Sequence, residues 1–327
     1  MTSLHLTVLV LFLASSADCS PYRGHALQSV RFRNQYRPTY QFPHDELANY
    51  YENGLPEDIV DEALNSVSER LTLEDQLSGR VRGGRNAREG ELPYQLRIVV
   101  STPATVDGKR YCGGILSHLY GYQFAITAAH CLWNSTSTFI VAGDRKISGL
   151  AYEQYRDVTT WRIHEQFVGD DVSCADHDVA LMFYATPFNL DYYVSPITLA
   201  KRRFLPKTVL ISGWGNTISR YIGTKTSDIL QVANITTTDD NYCQRFSRSL
   251  CTLTKSFCTV QRGLGDCRGD SGGAAVAKDP TDGKWYAIGI FTNILGDCGD
   301  DFHPTAFARV SDYKKWMKFK VVEHFNG

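Results

Sequence analysis

The sequence predicts an all-β domain over residues 81–327, a barrel or sandwich of short strands with one helix near the C-terminus. Short runs rich in β-branched and aromatic residues recur at 94–100, 124–128, 139–141, 209–212 and 287–291, separated by Gly, Pro, Asn and Asp turns. That pattern belongs to strands in a barrel or sandwich. No long helical pattern appears before residues 312–323. No repeat of fixed short period and no low-complexity tract competes with this reading.

The chain has 327 residues, room for one large domain or two small ones, and a hydrophobic content of 43%, ample for a core. A formal net charge of -1 gives no electrostatic reason to expect nucleic acid or an acidic membrane as partner.

Residues 4–13 form an apolar run followed by the small residues Ala14, Ser15, Ser16 and Ala17. A bilayer span needs about 20 apolar residues, so this run is too short to cross one. It reads as a signal peptide over 1–17, whose n-region has His5 but no Lys or Arg. No later stretch is long and apolar enough to act as an anchor. Nine cysteines suit an oxidising compartment, and their odd number leaves one without an internal partner. The triplets Asn134-Ser135-Thr136 and Asn234-Ile235-Thr236 are glycosylation acceptors in a secreted chain. The expected destination is extracellular.

Residues 18–80 have a different texture. Positions 21–44 carry Arg23, Arg31, Arg33 and Arg37 and no acid, whereas 45–77 are acidic apart from Arg70. Pro56, Glu57 and Asp58 make a good helix start, and Ile59, Val60, Ala63, Leu64, Val67 and Leu71 follow at helical spacing. Two readings stay open: a partly disordered leader with one amphipathic helix, or a pro-segment helix that docks on the domain and restrains it.

Three motifs carry the chemistry. TAAHC at 127–131, HDVAL at 177–181 and GDSGG at 269–273 occur in that order. They resemble the signatures of chymotrypsin/trypsin-like serine proteases, over residues 81–327. The resemblance implies two packed six-stranded antiparallel β-barrels with the reacting groups in the cleft between them. It also implies an endopeptidase acting on protein or peptide substrates as a monomer, without a cofactor or metal.

On that resemblance Ser271 is the nucleophile, and His130 the base that takes its proton and returns it to the leaving amine. Asp178 holds the imidazole in the right tautomer. Gly269 and Ser271 would aim their N–H groups at the developing oxyanion. Arg80 precedes Val81-Arg82-Gly83-Gly84, similar to the family's activation site. A trypsin-like protease cutting there would free the Val81 amine to pair with buried Asp270. Arg82 stands where a small aliphatic residue is usual. The family pattern further implies the bridges Cys112–Cys131, Cys243–Cys258 and Cys267–Cys298. Cys19, Cys174 and Cys251 stay unassigned, a Cys19–Cys174 bond being one way to keep the pro-segment attached. Val209 and Ala277 occupy positions where many members carry a further bridge.

The resemblance also bears on specificity. Gly265 lies six residues before Ser271, where trypsin-like members carry Asp at the floor of the pocket. Thr292, Asn293 and Ile294 fall on the substrate-binding segment, and Thr305 on the second wall. Bulk at both walls resembles elastase-like members, which accept small aliphatic side chains. The alternative is a chymotrypsin-like slot, kept open by a register slip within 293–300. Cys174-Ala175-Asp176-His177 has ligand types but no second half at zinc spacing, so a metal site is not expected. His177 is read as a surface neighbour of Asp178, and His164 and His303 as ordinary surface residues. The rival to an enzyme is a family member that has lost catalysis and works by docking.

Overall fold

The computed structural model describes residues 84–103, 108–149, 151–169, 176–215, 226–246, 253–261, 265, 267, 269–295 and 303–327. The expected signal peptide, the helix over 56–71 and the Arg80–Val81 bond lie outside the described residues. So do Cys19, Cys174, Cys251 and Cys298.

Strand β1 (Arg85–Asn86) joins the second of two sheets. The first is built from β2 (Gln95–Ser101), β3 (Lys109–Leu119), β4 (Tyr122–Thr127), β5 (Ser137–Ala142), β6 (Gln154–Asp157), β7 (Thr160–Ile163) and β8 (Ala180–Phe183). Its order is β6-β5-β2-β3-β4-β8-β7, and all its pairs are antiparallel. The end strands β6 and β7 are separated only by Val158 and Thr159. Val158 N donates to Thr138 O of β5, and Thr159 N to Phe183 O of β8. The two ends are therefore halves of one bent strand, and the sheet closes into a six-stranded barrel.

The second sheet comprises β9 (Thr198–Leu199), β10 (Thr208–Gly213), β11 (Gln231–Thr236), β12 (Ser256–Thr259), β13 (Ala274–Lys278), β14 (Trp285–Ile294) and β15 (Thr305–Arg309), with β1. The path runs β1-β11-β10-β13-β14-β15-β12, while β9 pairs in parallel with β14. A bridge between Thr237 and Thr259, with Thr238 N donating to Cys258 O and Val260 N to Thr236 O, joins β12 back to the end of β11. Strands β10 to β15 thus close a second six-stranded barrel. The short β1 and β9 are additions to it.

Period-two alternation explains how each strand serves two cores. On β8, Ala180 and Met182 fill the first barrel, while Leu181 and Phe183 face the cluster shared between the barrels. On β11, Ala233 and Ile235 fill the second barrel and Val232 joins the shared cluster. Val209 and Ala277 are both buried in that second barrel core, so apolar packing occupies the place of the missing bridge.

Among the described residues, three helices accompany the barrels: α1 (Ala129–Leu132), α2 (Asp240–Arg245) and α3 (Val310–Asn326). α3 buries Tyr313, Met317 and Val321 at four-residue intervals against the shared cluster. It outruns the expected 312–323 because His324 stacks on Phe183 at 4.0 Å and Phe325 on Tyr122 at 4.2 Å.

Candidate active site

His130 sits on α1, the single turn that follows β4. So short a helix has little stability of its own. Its last carbonyls are held by Arg110 of β3, whose guanidinium donates to His130 O at 2.6 Å and Cys131 O at 3.3 Å. The Cys112–Cys131 bridge, with Cα atoms 6.3 Å apart, ties the same turn to β3.

Asp178 immediately precedes the Val179 that leads into β8 and is 3% exposed. Its two carboxylate oxygens are divided between two donors on one residue. Oδ2 lies 2.7 Å from His130 Nδ1, and Oδ1 accepts from His130 N at 2.8 Å. With Nδ1 committed to the carboxylate as a donor, Nε2 is left as the basic nitrogen.

Ser271 comes from the other barrel, in the turn before β13. Its carbonyl accepts from Gly113 N of β3 at 2.8 Å. Cys131 Sγ is 3.9 Å from His130 Nε2 and 3.6 Å from Ser271 O, so one sulfur touches both segments. Gly272, at φ +84°, makes this contact possible. A Cβ there would meet Thr127 Oγ1 at 2.0 Å and Gly113 O at 2.5 Å.

The turn has an uneven pattern of N–H use. Asp270 N donates to Cys267 O, Gly272 N to Phe291 O and Gly273 N to Asp270 O. The N–H groups of Gly269 and Ser271 have no acceptor among the described residues. Gly269 has φ +99°, which favours glycine. These two N–H groups lie on either side of Asp270, in the turn that carries Ser271.

Residues 81–317 match the family model described as Trypsin. The chain belongs to the trypsin family. It is 30% identical over 251 residues to trypsin-1 of Astacus astacus, covering 73% of this chain and 99% of that protein. It is 29% identical to coagulation factor IX of Cavia porcellus, over 72% of this chain and 80% of that one. Serine protease filzig of Drosophila melanogaster is 29% identical over 74% of this chain but 14% of its own length. Membership of the trypsin family makes this chain a serine protease by descent, hence a hydrolase with protein substrates.

Asp270 is wholly buried. Its carboxylate accepts from Gly215 N at 2.7 Å and Cys267 N at 2.9 Å. Burial pushes its pKa up to about 7, against the pull of those two bonds. Gly213 and Gly215 make room for it, since a Cβ at Gly213 would fall 1.8 Å from Asp270 Oδ1. Among the described residues no cation pairs with it.

Gly265, Thr292 and Thr305 are buried and Ile294 is half-buried. Thr292 donates its hydroxyl to Ala306 O at 3.0 Å, and Ile294 and Thr305 are Cα partners across β14 and β15. Cys243–Cys258 is bonded, and Cys267 is also in a disulfide. Both sequon asparagines are exposed, Asn134 at φ +57° in the turn after α1 and Asn234 in mid-β11. No helix among the described residues is long and apolar enough to cross a membrane. Cys112, His130 and Cys131 lie together, but both thiols are spent in the bridge and offer no thiolate to a metal. A cavity of about 170 Å³ lies elsewhere, lined by Arg88, Arg145, Tyr152 and Tyr193 among others and by none of the three motif residues.

The surface reading of the histidines needs correction. His164 is 8% exposed, its ring 4.7 Å from that of His177 and 4.9 Å from that of Trp316, and burial pushes its pKa down to about 4. His177 is half-buried in the same cluster, its pKa also lowered by burial. His303 is half-buried beside Phe246. The α3 aromatics that cover the first two come from far along the chain, so nothing local signals their burial. Arg110, Gly113, Thr127 and Asp176 were not picked out for the site by sequence reading. Each acts through a partner distant in sequence.

Proposed function

We propose that this protein is a secreted serine endopeptidase, made as a zymogen, that cleaves peptide bonds through an acyl-enzyme on Ser271. The observation that carries the reading is the paired geometry around His130 and Ser271. Asp178 accepts from the backbone N–H of His130 and pairs with its Nδ1, and among the described residues the N–H groups of Gly269 and Ser271 have no acceptor. In the first step His130 Nε2 accepts the Ser271 proton as Oγ attacks the scissile carbonyl. The same proton then passes to the leaving amine. Gly269 N and Ser271 N bind the oxyanion, each such donor worth about 2.7–4 kcal/mol in the transition state. Water repeats the sequence to release the acid.

In this reading residues 1–17 are a signal peptide and 18–80 a pro-segment, with 81–327 as the protease domain. A trypsin-like protease cuts after Arg80, and the Val81 amine pairs with buried Asp270, for which the described residues offer no cation. Glycans on Asn134 and Asn234 fit their exposure. The product acts as a monomer outside the cell, with no cofactor. Gly265 at the pocket floor leaves a basic substrate side chain without a buried counter-charge. Ile294 opposite Thr305 favours cleavage after small aliphatic residues, with a chymotrypsin-like preference as the second reading.

The test is hydrolysis of a peptide library, varied at the residue before the cut, by secreted protein before and after trypsin treatment. Cleavage after Ala or Val that appears on treatment and vanishes in Ser271→Ala is the expected result. No turnover and no labelling by an organophosphonate, with Val81 as the new N-terminus, would overturn it in favour of a docking module.

A further inference from the structure

We propose that Asp176 is a positioning residue that sets the place of Asp178 by pinning its loop to the second barrel. This rests on the reading of Asp178 as the partner of a catalytic His130. Asp178 spends both oxygens on His130, and no other bond of its carboxylate is found among the described residues. Its position must come from the backbone on either side. On the C-terminal side Val179 accepts from His164 N at 3.1 Å and leads into β8. The N-terminal side is held by Asp176 and His177.

Asp176 is 9% exposed, yet its carboxylate has a full set of donors, all from one segment of the other barrel. Oδ2 accepts from Thr254 N at 2.9 Å and Thr254 Oγ1 at 3.0 Å. Lys255 N reaches both oxygens at 3.1 Å, and Ser256 Oγ donates to Oδ1 at 2.6 Å. Two of these donors are backbone N–H groups that cannot reverse their polarity. An amide would keep its oxygen on Thr254 N and turn its NH₂ toward Ser256 Oγ, within reach of the fixed Lys255 N–H, so the clamp is strongest for a carboxylate.

His177 carries the constraint onward. It has φ +68°, a conformation costly for a side chain of this size. It is kept there by Tyr313 of α3, whose hydroxyl accepts from His177 N at 2.7 Å, and by ring packing on His164. Three consecutive residues are thus tied to three different elements: Asp176 to 254–256, His177 to α3, and Asp178 to α1. The Asp176 carboxylate converts the docking of the two barrels into the position of Asp178. A catalytic group displaced by about 1 Å can lose on the order of 10²-fold in rate.

The experiment uses the full chain activated with trypsin and compares Asp176→Asn with the double variant Thr254→Val, Ser256→Ala. The double variant leaves the Asp176 carboxylate in place with its two backbone donors. We expect kcat per folded molecule to fall tens-fold in Asp176→Asn and several-fold in the double variant. KM should stay within about twofold in both. The low-field proton resonance of the His130–Asp178 bond should weaken in both. Wild-type kcat per folded molecule in Asp176→Asn overturns the proposal. If that variant does not fold, the double variant decides, and unchanged kcat there overturns it. Ser271→Ala and Asp178→Ala serve as controls: if these keep activity, it is the triad reading that fails, whatever Asp176 does.

Discussion

Ile294 of β14 and Thr305 of β15 are paired directly across the antiparallel ladder, just beyond a register shift between Phe291 and Asn293. The two bulky side chains therefore occupy opposed positions on neighbouring strands, where a cross-strand pair has Cβ atoms about 5 Å apart. Replacing both by Gly should open the space between them. Cleavage after Phe should then rise at least tens-fold relative to cleavage after Ala, as read from kcat/KM on matched peptides. An unchanged ratio would mean that these residues do not wall the pocket.

Asp270 makes the uncut protein sensitive to pH. A carboxyl raised to about 7 in the folded chain binds its proton more tightly than in the unfolded one. Its contribution to stability is complete below about pH 4, declines as pH rises toward 7, and is gone above that. Urea midpoints of the single-chain form should therefore fall across this window, by an amount worth a few kcal/mol. Asp270→Asn should flatten the curve at a lower overall stability, because its NH₂ would face the backbone N–H of Gly215 or Cys267. The cut form should lose the slope as well, because a cation at Asp270 lowers its pKa.

Gly272 cannot be replaced without moving the first barrel. The Cβ of Gly272→Ala would land 2.0 Å from Thr127 Oγ1 at a φ of +84°. A loss on the order of 2 kcal/mol in stability is expected, together with loss of most activity. Pairing it with Thr127→Ala should recover part of the stability, measured by thermal unfolding, but not the backbone strain.

Asp178→Asn should leave the fold intact and lower kcat roughly 10⁴-fold near neutral pH. An Asn that donates its NH₂ to Nδ1 forces the proton to Nε2, so the imidazole can no longer accept from Ser271. Thermal unfolding and kcat measured on the same preparation separate this from misfolding.

Removing the Cys112–Cys131 bridge by a double Ser substitution should cost about 3 kcal/mol, the scale for a loop of this size. The bridge closes a span of 19 residues. The prediction is read as a drop in denaturant midpoint. Activity should fall further than stability alone explains, since the bridge fixes α1 against β3.

The strand runs at 94–100, 124–128, 139–141, 209–212 and 287–291 all fall on observed strands, because β-branched alternation and turn residues are local signals. The three motif residues and the glycines around Ser271 were legible for the same reason. Each motif is a short peptide whose backbone needs are written in its own residues, as the positive φ of Gly269 and Gly272 shows. Other features depend on pairings that no short window contains. Barrel closure rests on Val158 and Thr159 reaching opposite sheet edges. The burial of His164 rests on Trp316, the cap on α1 rests on Arg110, and Asp176 finds its donors at 254–256. The sequence alone marked out the three motifs and the backbone turns that they needed. Only the tertiary structure decided where Asp178 sits and what Ile294 faces. Those positions are fixed by hydrogen bonds and packing between strands far apart in the chain, and such contacts exist only once both barrels have closed.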